Sequence, residues 1–188
     1  MPLGTPFVLV AHMVNSRILP KHMKKLLSLV ALGALLMACT KEPSLEEKLA
    51  GTWNLNDVAM SGSFDFAGQA ISFTGQDSLI RPNNTLELVY VDGGTHTFTW
   101  NQDVRVVLNV MGQSMGDDIV DNSTGTWYAV DGGGVTADSL YMTSGGETIG
   151  FELLSFLETS MRIRNQVTEV DPTLGSTTVS TEYGFDKQ

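Results

Sequence analysis

From Gly51 onward the chain alternates apolar and polar residues in short runs separated by glycine, asparagine and aspartate, and this period of two restricts the folds open to it. Successive side chains of a strand point to opposite faces, so each run has one face to bury and one to leave in water. "TLELVYV" (85–91) sets Leu86, Leu88 and Tyr90 against Glu87, Val89 and Val91, and "THTFTW" (95–100) alternates threonines with His96, Phe98 and Trp100. Between them "DGG" (92–94) predicts a hairpin turn, because its glycines reach positive φ at little cost. Further strands are predicted at 51–59, 69–75, 104–111, 125–130, 138–143, 148–154, 158–166 and 177–185. Ten short strands with almost no helical stretch define an antiparallel all-β domain, either a closed barrel or a sandwich. The one helical signal precedes them. In "SLEEKLA" Ser44 caps and Glu47 reciprocates, so a short helix from Leu45 to Ala50 is expected before the first strand.

Cys39 is the only cysteine of the 188 residues, which rules out an intrachain disulfide and a Cys/His zinc site. Stability must come from a buried core, and residues 51–188 are long enough to build one. Cys39 ends an uncharged run, Leu26 to Met37, that follows Lys24 and Lys25. Twelve residues make about 18 Å of helix, against roughly 30 Å of hydrocarbon in a bilayer. That is too short to span, so residues 1–38 read as an export signal. Residues 1–22 fit poorly as part of a signal because Pro20 and a weaker apolar patch interrupt them; translation is expected to start at Met23, with 1–22 an artefactual extension.

Leu36-Met37-Ala38-Cys39 resembles the lipobox of bacterial lipoproteins, with Met37 less usual at its position than alanine or serine. The resemblance implies cleavage before Cys39 and a diacylglycerol on its thiol, so that residues 39–44 form a lipidated N-terminus and tether and 45–188 the domain. Thr40 is not the aspartate that often retains such proteins in the inner membrane, so outer-membrane placement is expected, on the periplasmic or surface face.

Charge narrows the partners. The four cations before Cys39 face no acid, and the rest of the chain holds seven cations against 21 acids, a net charge of −14. Phosphate backbones repel such a surface, which argues against nucleic acid and leaves membrane contact to the lipid anchor.

"GTW" occurs at 51–53 and 125–127, but the flanking residues do not match, which argues against an internal duplication. The first copy, a Gly-x-Trp opening the first strand after a short helix, resembles lipocalins, and in particular the lipocalin-like lipoproteins of Bacteroidetes. The similarity covers roughly 45–166 and implies an up-and-down barrel of about eight to ten strands. Gly51 would permit a tight start to the first strand and Trp53 would close the barrel floor. It also implies an arginine packed on that tryptophan by cation–π attraction, with Arg162 or Arg164 of "SMRIRNQV" as candidates.

Groups suited to catalysis are scarce. His96 is the only histidine after Cys39, and no G-x-S-x-G motif is present. "GDDIVDNSTG" (116–125) gathers Asp117, Asp118, Asp121 and Asn122 without the spacing of a calcium loop, and is read as a solvated loop. Met111, Met115, Met142 and Met161 suit core filling or a soft cavity wall. "DSL" at 77–79 and 138–140 resembles the O-glycosylation sequence of Bacteroidetes exported proteins. The expectation is therefore a non-enzymatic protein without cofactor or metal, whose barrel takes a small apolar or amphipathic ligand against Leu88, Tyr90, Phe98 and Trp100. The alternative is a barrel filled by its own side chains, acting as an accessory subunit of an envelope complex.

Overall fold

The computed structural model describes residues 42–66, 68–134, 136–171 and 175–188; Cys39 and the leader lie outside them. The capping box forms as expected: Ser44 Oγ accepts from the Glu47 N–H, and the Glu47 carboxylate accepts from the Ser44 N–H at 2.6 Å. It starts α1 (Leu45–Leu49). Nine strands follow: β1 (Gly51–Phe66), β2 (Gln69–Ile80), β3 (Thr85–Val89), β4 (Thr97–Val110), β5 (Gln113–Val130), β6 (Ser139–Ser144), β7 (Glu147–Leu157), β8 (Ser160–Asp171) and β9 (Gly175–Lys187).

Every pairing between these strands is antiparallel, and β9 returns to pair with β1 from Trp53–Lys187 to Phe64–Thr177, closing the sheet into a ring. Nine strands occupy eight places. β2 and β3 share one, because β1 pairs with β3 along its first residues and with β2 along its last, and β4 does the same from the other side. Arg81–Asn84 leave the ladder where β2 gives way to β3. Buried Asn84 bridges that gap: its amide donates to the Arg81 and Asp103 carbonyls and accepts from the Asp103 N–H, while its own carbonyl accepts from Leu55 N–H at 3.0 Å. The barrel is thus up-and-down with eight places, a size whose interior is either filled by side chains or holds one small ligand.

The core occupies the end where β1 begins. Trp53, Leu55 and Val58 of β1, Leu86 and Leu88 of β3, and Ile163 and Phe185 from the far side of the ring are buried there, and Leu49 of α1 closes over them. A bulge between Leu55 and Asp57 resets the alternation, so that Leu55 and Val58 both point inward. Pro43–Gln188 form a compact unit of their own.

Three predicted elements differ. Runs 95–100 and 104–111 are one strand, β4, because Gln102 continues the inward series Phe98, Trp100, Val104, Val106 instead of ending it. The acidic run 116–125 is strand rather than loop, paired residue for residue with β4 from Val107 to Phe98. Its outward Asp118 meets Arg81 at 3.2 Å and Arg105 at 3.3 Å, so cations from β4 and the β2–β3 connection compensate a charge that made the run look unfit for a sheet. The second "GTW" lies inside β5 instead of starting a strand.

Gly125 there permits a close approach. A Cβ on it would lie 1.9 Å from the Thr143 carbonyl oxygen of β6 and 3.0 Å from the Phe98 ring. Backbone cannot rotate away as a side-chain tip can, so Gly125→Ala must push β6 off β5. It is expected to cost about 1–3 kcal/mol, the usual penalty of overpacking, read as a lower thermal midpoint by circular dichroism. An unchanged midpoint would contradict this β5–β6 spacing.

Candidate functional site

Above the core the barrel encloses a cavity of about 280 Å³. Phe98, Trp100 and Gln102 of β4, Asp121 and Ser123 of β5, Met142 and Ser144 of β6, Glu147, Ile149 and Phe151 of β7, Asn165 of β8 and Tyr183 of β9 line it. Phe98, Trp100, Met142 and Phe151 also belong to the core, so the roof of the core is the floor of the cavity. Trp100 is the centre of that floor, with ring centroids 5.1 Å from Tyr183, 5.6 Å from Phe151 and 6.2 Å from Phe185. The rim is polar: Ser144 and Glu147 flank the β6–β7 turn and Asp121 stands exposed on β5. Binding clefts for drug-sized molecules run from about 300 Å³ upward, so a molecule seated here must be small.

Among the described residues, Trp100 Nε1 is buried without a hydrogen-bond partner and is closed off from the cavity space. The Tyr183 hydroxyl is held above its ordinary pKa by burial, with a side-chain hydrogen bond to Gln102 acting in the opposite sense and the Asp121 charge adding to the rise. Tyr183 is therefore a neutral phenol at physiological pH. Among the described residues no lysine, arginine or histidine lines the cavity, and Asp121 and Glu147 are the acidic ones.

The residues singled out from the sequence fall in three places. Phe98 and Trp100 line the cavity; Leu88 is buried in the core below it; Tyr90 lies past the end of β3, where its ring leans on His96 at a tilt, with centroids 4.8 Å apart. His96 is held between Tyr90 and Trp127, and its Nδ1 accepts from the Val91 N–H at 3.2 Å, away from the cavity lining. Gly51 takes a φ of 137° and passes close to the Lys187 side chain. Trp53 is fully buried, and its Nε1 donates to the Leu49 carbonyl at 2.8 Å.

The cation over the Trp53 ring is Lys187, whose Nζ lies 4.9 Å from the ring centroid; it is neither Arg162 nor Arg164. Those arginines alternate with inward Met161 and Ile163, which turns them to the outer face of β8. There Arg162 pairs with Asp57 and Arg164 with Glu152, and Glu182 approaches both. Met142 lines the cavity, Met161 is core, and Met111 and Met115 are exposed at the β4–β5 turn. Ser78 is exposed at a bulge of β2, and Ser139 opens β6.

Sequence reading missed Gln102, Asp121, Ser123, Ser144, Glu147, Ile149, Phe151, Asn165 and Tyr183 as lining residues. Only Gln102 carried a signal, by its even spacing with Phe98 and Trp100; the others depend on which strands face across the ring. Among the described residues no group of three or more His, Cys, Asp or Glu is placed to hold a metal ion. No protein-family model matches the chain, and no curated protein matches it.

Proposed function

We propose that this is a lipid-anchored cell-envelope lipoprotein whose lipocalin-like barrel binds a small apolar or amphipathic ligand, without catalysis or cofactor. The observation that carries the binding part is the cavity, floored by Phe98, Trp100 and Phe151. The lipobox-like Leu36–Cys39 supports the anchor and, with Thr40, the outer-membrane location. Gly51 and Trp53 would secure the barrel floor, with Lys187 beside them.

Binding is testable on residues 40–188, which include the whole compact unit from Pro43. Titration with N-phenyl-1-naphthylamine, a neutral apolar fluorophore, should saturate, and native mass spectrometry after gentle purification should show a co-purifying small molecule. Ile149 is half-exposed at the cavity wall, so Ile149→Trp should fill the mouth without disturbing the core. It is expected to weaken probe binding about tenfold or more, the equivalent of about 1.4 kcal/mol, with the melting temperature unchanged. No saturable binding and no co-purifying ligand would leave the accessory-subunit reading in its place.

A further inference from the structure

We propose that the free edge of β5 takes up an extended segment of a partner protein as an added strand of the sheet, one whose inward side alternates lysine or arginine with apolar residues. The proposal does not depend on the cavity holding a ligand.

β6 pairs with β5 only along Thr126–Val130, and β7 pairs with β8 only along Ser160–Arg164. Past the β6–β7 turn, β5 continues from Ser123 to Gln113 with β4 as its one strand partner among the described residues, and β8 continues to Asp171 with β9 alone. Alternate residues of the β5 edge therefore turn their main-chain groups away from β4. Thr124 fixes which ones: its carbonyl accepts from Ser144 Oγ on the β6 side, so Asn122, Val120, Asp118 and Gly116 face that way too. The Asn122 and Asp118 N–H groups are held there by the carboxylates of Asp121 and Asp117, at 2.8 and 3.0 Å. An open edge of this kind is a template for a further strand, and strand addition is a recurrent way of binding a peptide.

The side chains say what that strand carries. On the inward face of β5, Met115, Asp117, Ile119 and Asp121 alternate apolar and acidic, opposite Leu108, Val106, Val104 and Gln102 of β4. Met115 is 58% exposed although it faces inward, and so is Val167 at 44%, two residues beyond cavity-lining Asn165 on β8. Inward apolar groups are thus uncovered where β6 and β7 stop. Outward Asp118 has two arginines, whereas neither Asp117 nor Asp121 has an ion-pair partner among the described residues. No lysine or arginine occurs in 113–123 or 165–171. A strand that covers Met115 and Ile119 with apolar side chains sets its intervening inward residues opposite Asp117 and Asp121, where opposite charge stabilises the pair and like charge opposes it. The same rule disfavours the β5 edge of a second copy.

The probe is a fluorescein-labelled peptide, Lys-Thr-Val-Thr-Lys-Thr-Val, titrated with residues 40–188 and read by anisotropy. It should bind saturably. Glutamine in place of both lysines should weaken binding about tenfold, and glutamate should abolish it. N-methylating the middle threonine, whose N–H would face β5, should also abolish binding; N-methylating the valine before it, whose N–H would face away, should change affinity less than about threefold. Asp117→Asn with Asp121→Asn should erase the preference for lysine over glutamine. Val120→Pro removes an N–H from the free edge and none from the β4 ladder, so it should stop binding with the circular dichroism spectrum intact. Failure of the lysine peptide to bind would mean an edge merely guarded by its acids and would sink the proposal. Equal affinity of the glutamine peptide, or equal effects of the two methylations, would overturn it as well. So would a dimer in sedimentation velocity that Val120→Pro dissociates, since the edge would then belong to a second copy. Binding of N-phenyl-1-naphthylamine reports on the cavity separately from all of these.

Discussion

Cys39→Ser should abolish incorporation of an alkyne-bearing palmitate analogue and leave the leader uncleaved, so that the intact mass reports a chain still carrying the residues before position 39. The expectation follows from the energetics of the proposed anchor. At about 0.8 kcal/mol per buried methylene, two long acyl chains supply nominally more than about 20 kcal/mol of membrane attachment, where a single chain would give only reversible binding. After Cys39, 21 acids against seven cations repel anionic headgroups, and no helix among the described residues is long and apolar enough to cross a membrane. Labelling is the decisive readout, because an uncut apolar leader can hold the variant at the membrane by itself. Equal labelling of wild type and Cys39→Ser would refute the lipoprotein reading.

Trp53→Ala is expected to be the most damaging substitution in the domain. The side chain is wholly buried, its Nε1 bonds the Leu49 carbonyl at the end of α1, the Phe156 ring meets it edge-on at 6.1 Å, and Lys187 of the last strand lies over its face. One residue therefore joins the helix, the first strand and the last strand where the ring closes. Large-to-small changes of a buried tryptophan cost about 3–5 kcal/mol. At roughly 2–4 °C per kcal/mol for a domain of this size, the thermal midpoint should fall by at least about 6 °C.

Two companion variants separate the causes. Trp53→Phe keeps most of the apolar volume but leaves the Leu49 carbonyl without its donor, so it should fall between wild type and alanine. Lys187→Met removes the cation over the ring and should cost about 0.5–1 kcal/mol. A Trp53→Ala midpoint within about 2 °C of wild type, read by near-ultraviolet circular dichroism, would show that Trp53 does not hold the floor.

Much of the strand content was legible because alternation is local. Leu86 and Leu88 are buried with Glu87 exposed between them, as their spacing requires, and Ser44 caps a helix whose third residue answers it. The errors arose where a polar residue belongs to the inward face. Gln102 and Asp121 interrupt apolar alternation, so β4 was read as two strands and most of β5 as a loop; both residues line the cavity. The same departure from pattern that hid the strands marks the candidate site. Arg162 and Arg164 show a different limit: nothing in "SMRIRNQV" says which way the pleat faces, and Met161 and Ile163 took the inside.

By itself the sequence determined the all-β class, the helix cap before the first strand and the β3–β4 hairpin, since each depends on neighbours within a few residues. The tertiary structure alone decided that the sheet closes through β1 and β9, that β2 and β3 share one place around the ring, that Lys187 and not an arginine covers Trp53, and that side chains from six strands meet around one cavity. Those outcomes depend on register between strands distant in the chain. A period of two repeats identically at every offset, so it specifies which residues share a face and leaves open which strand stands opposite.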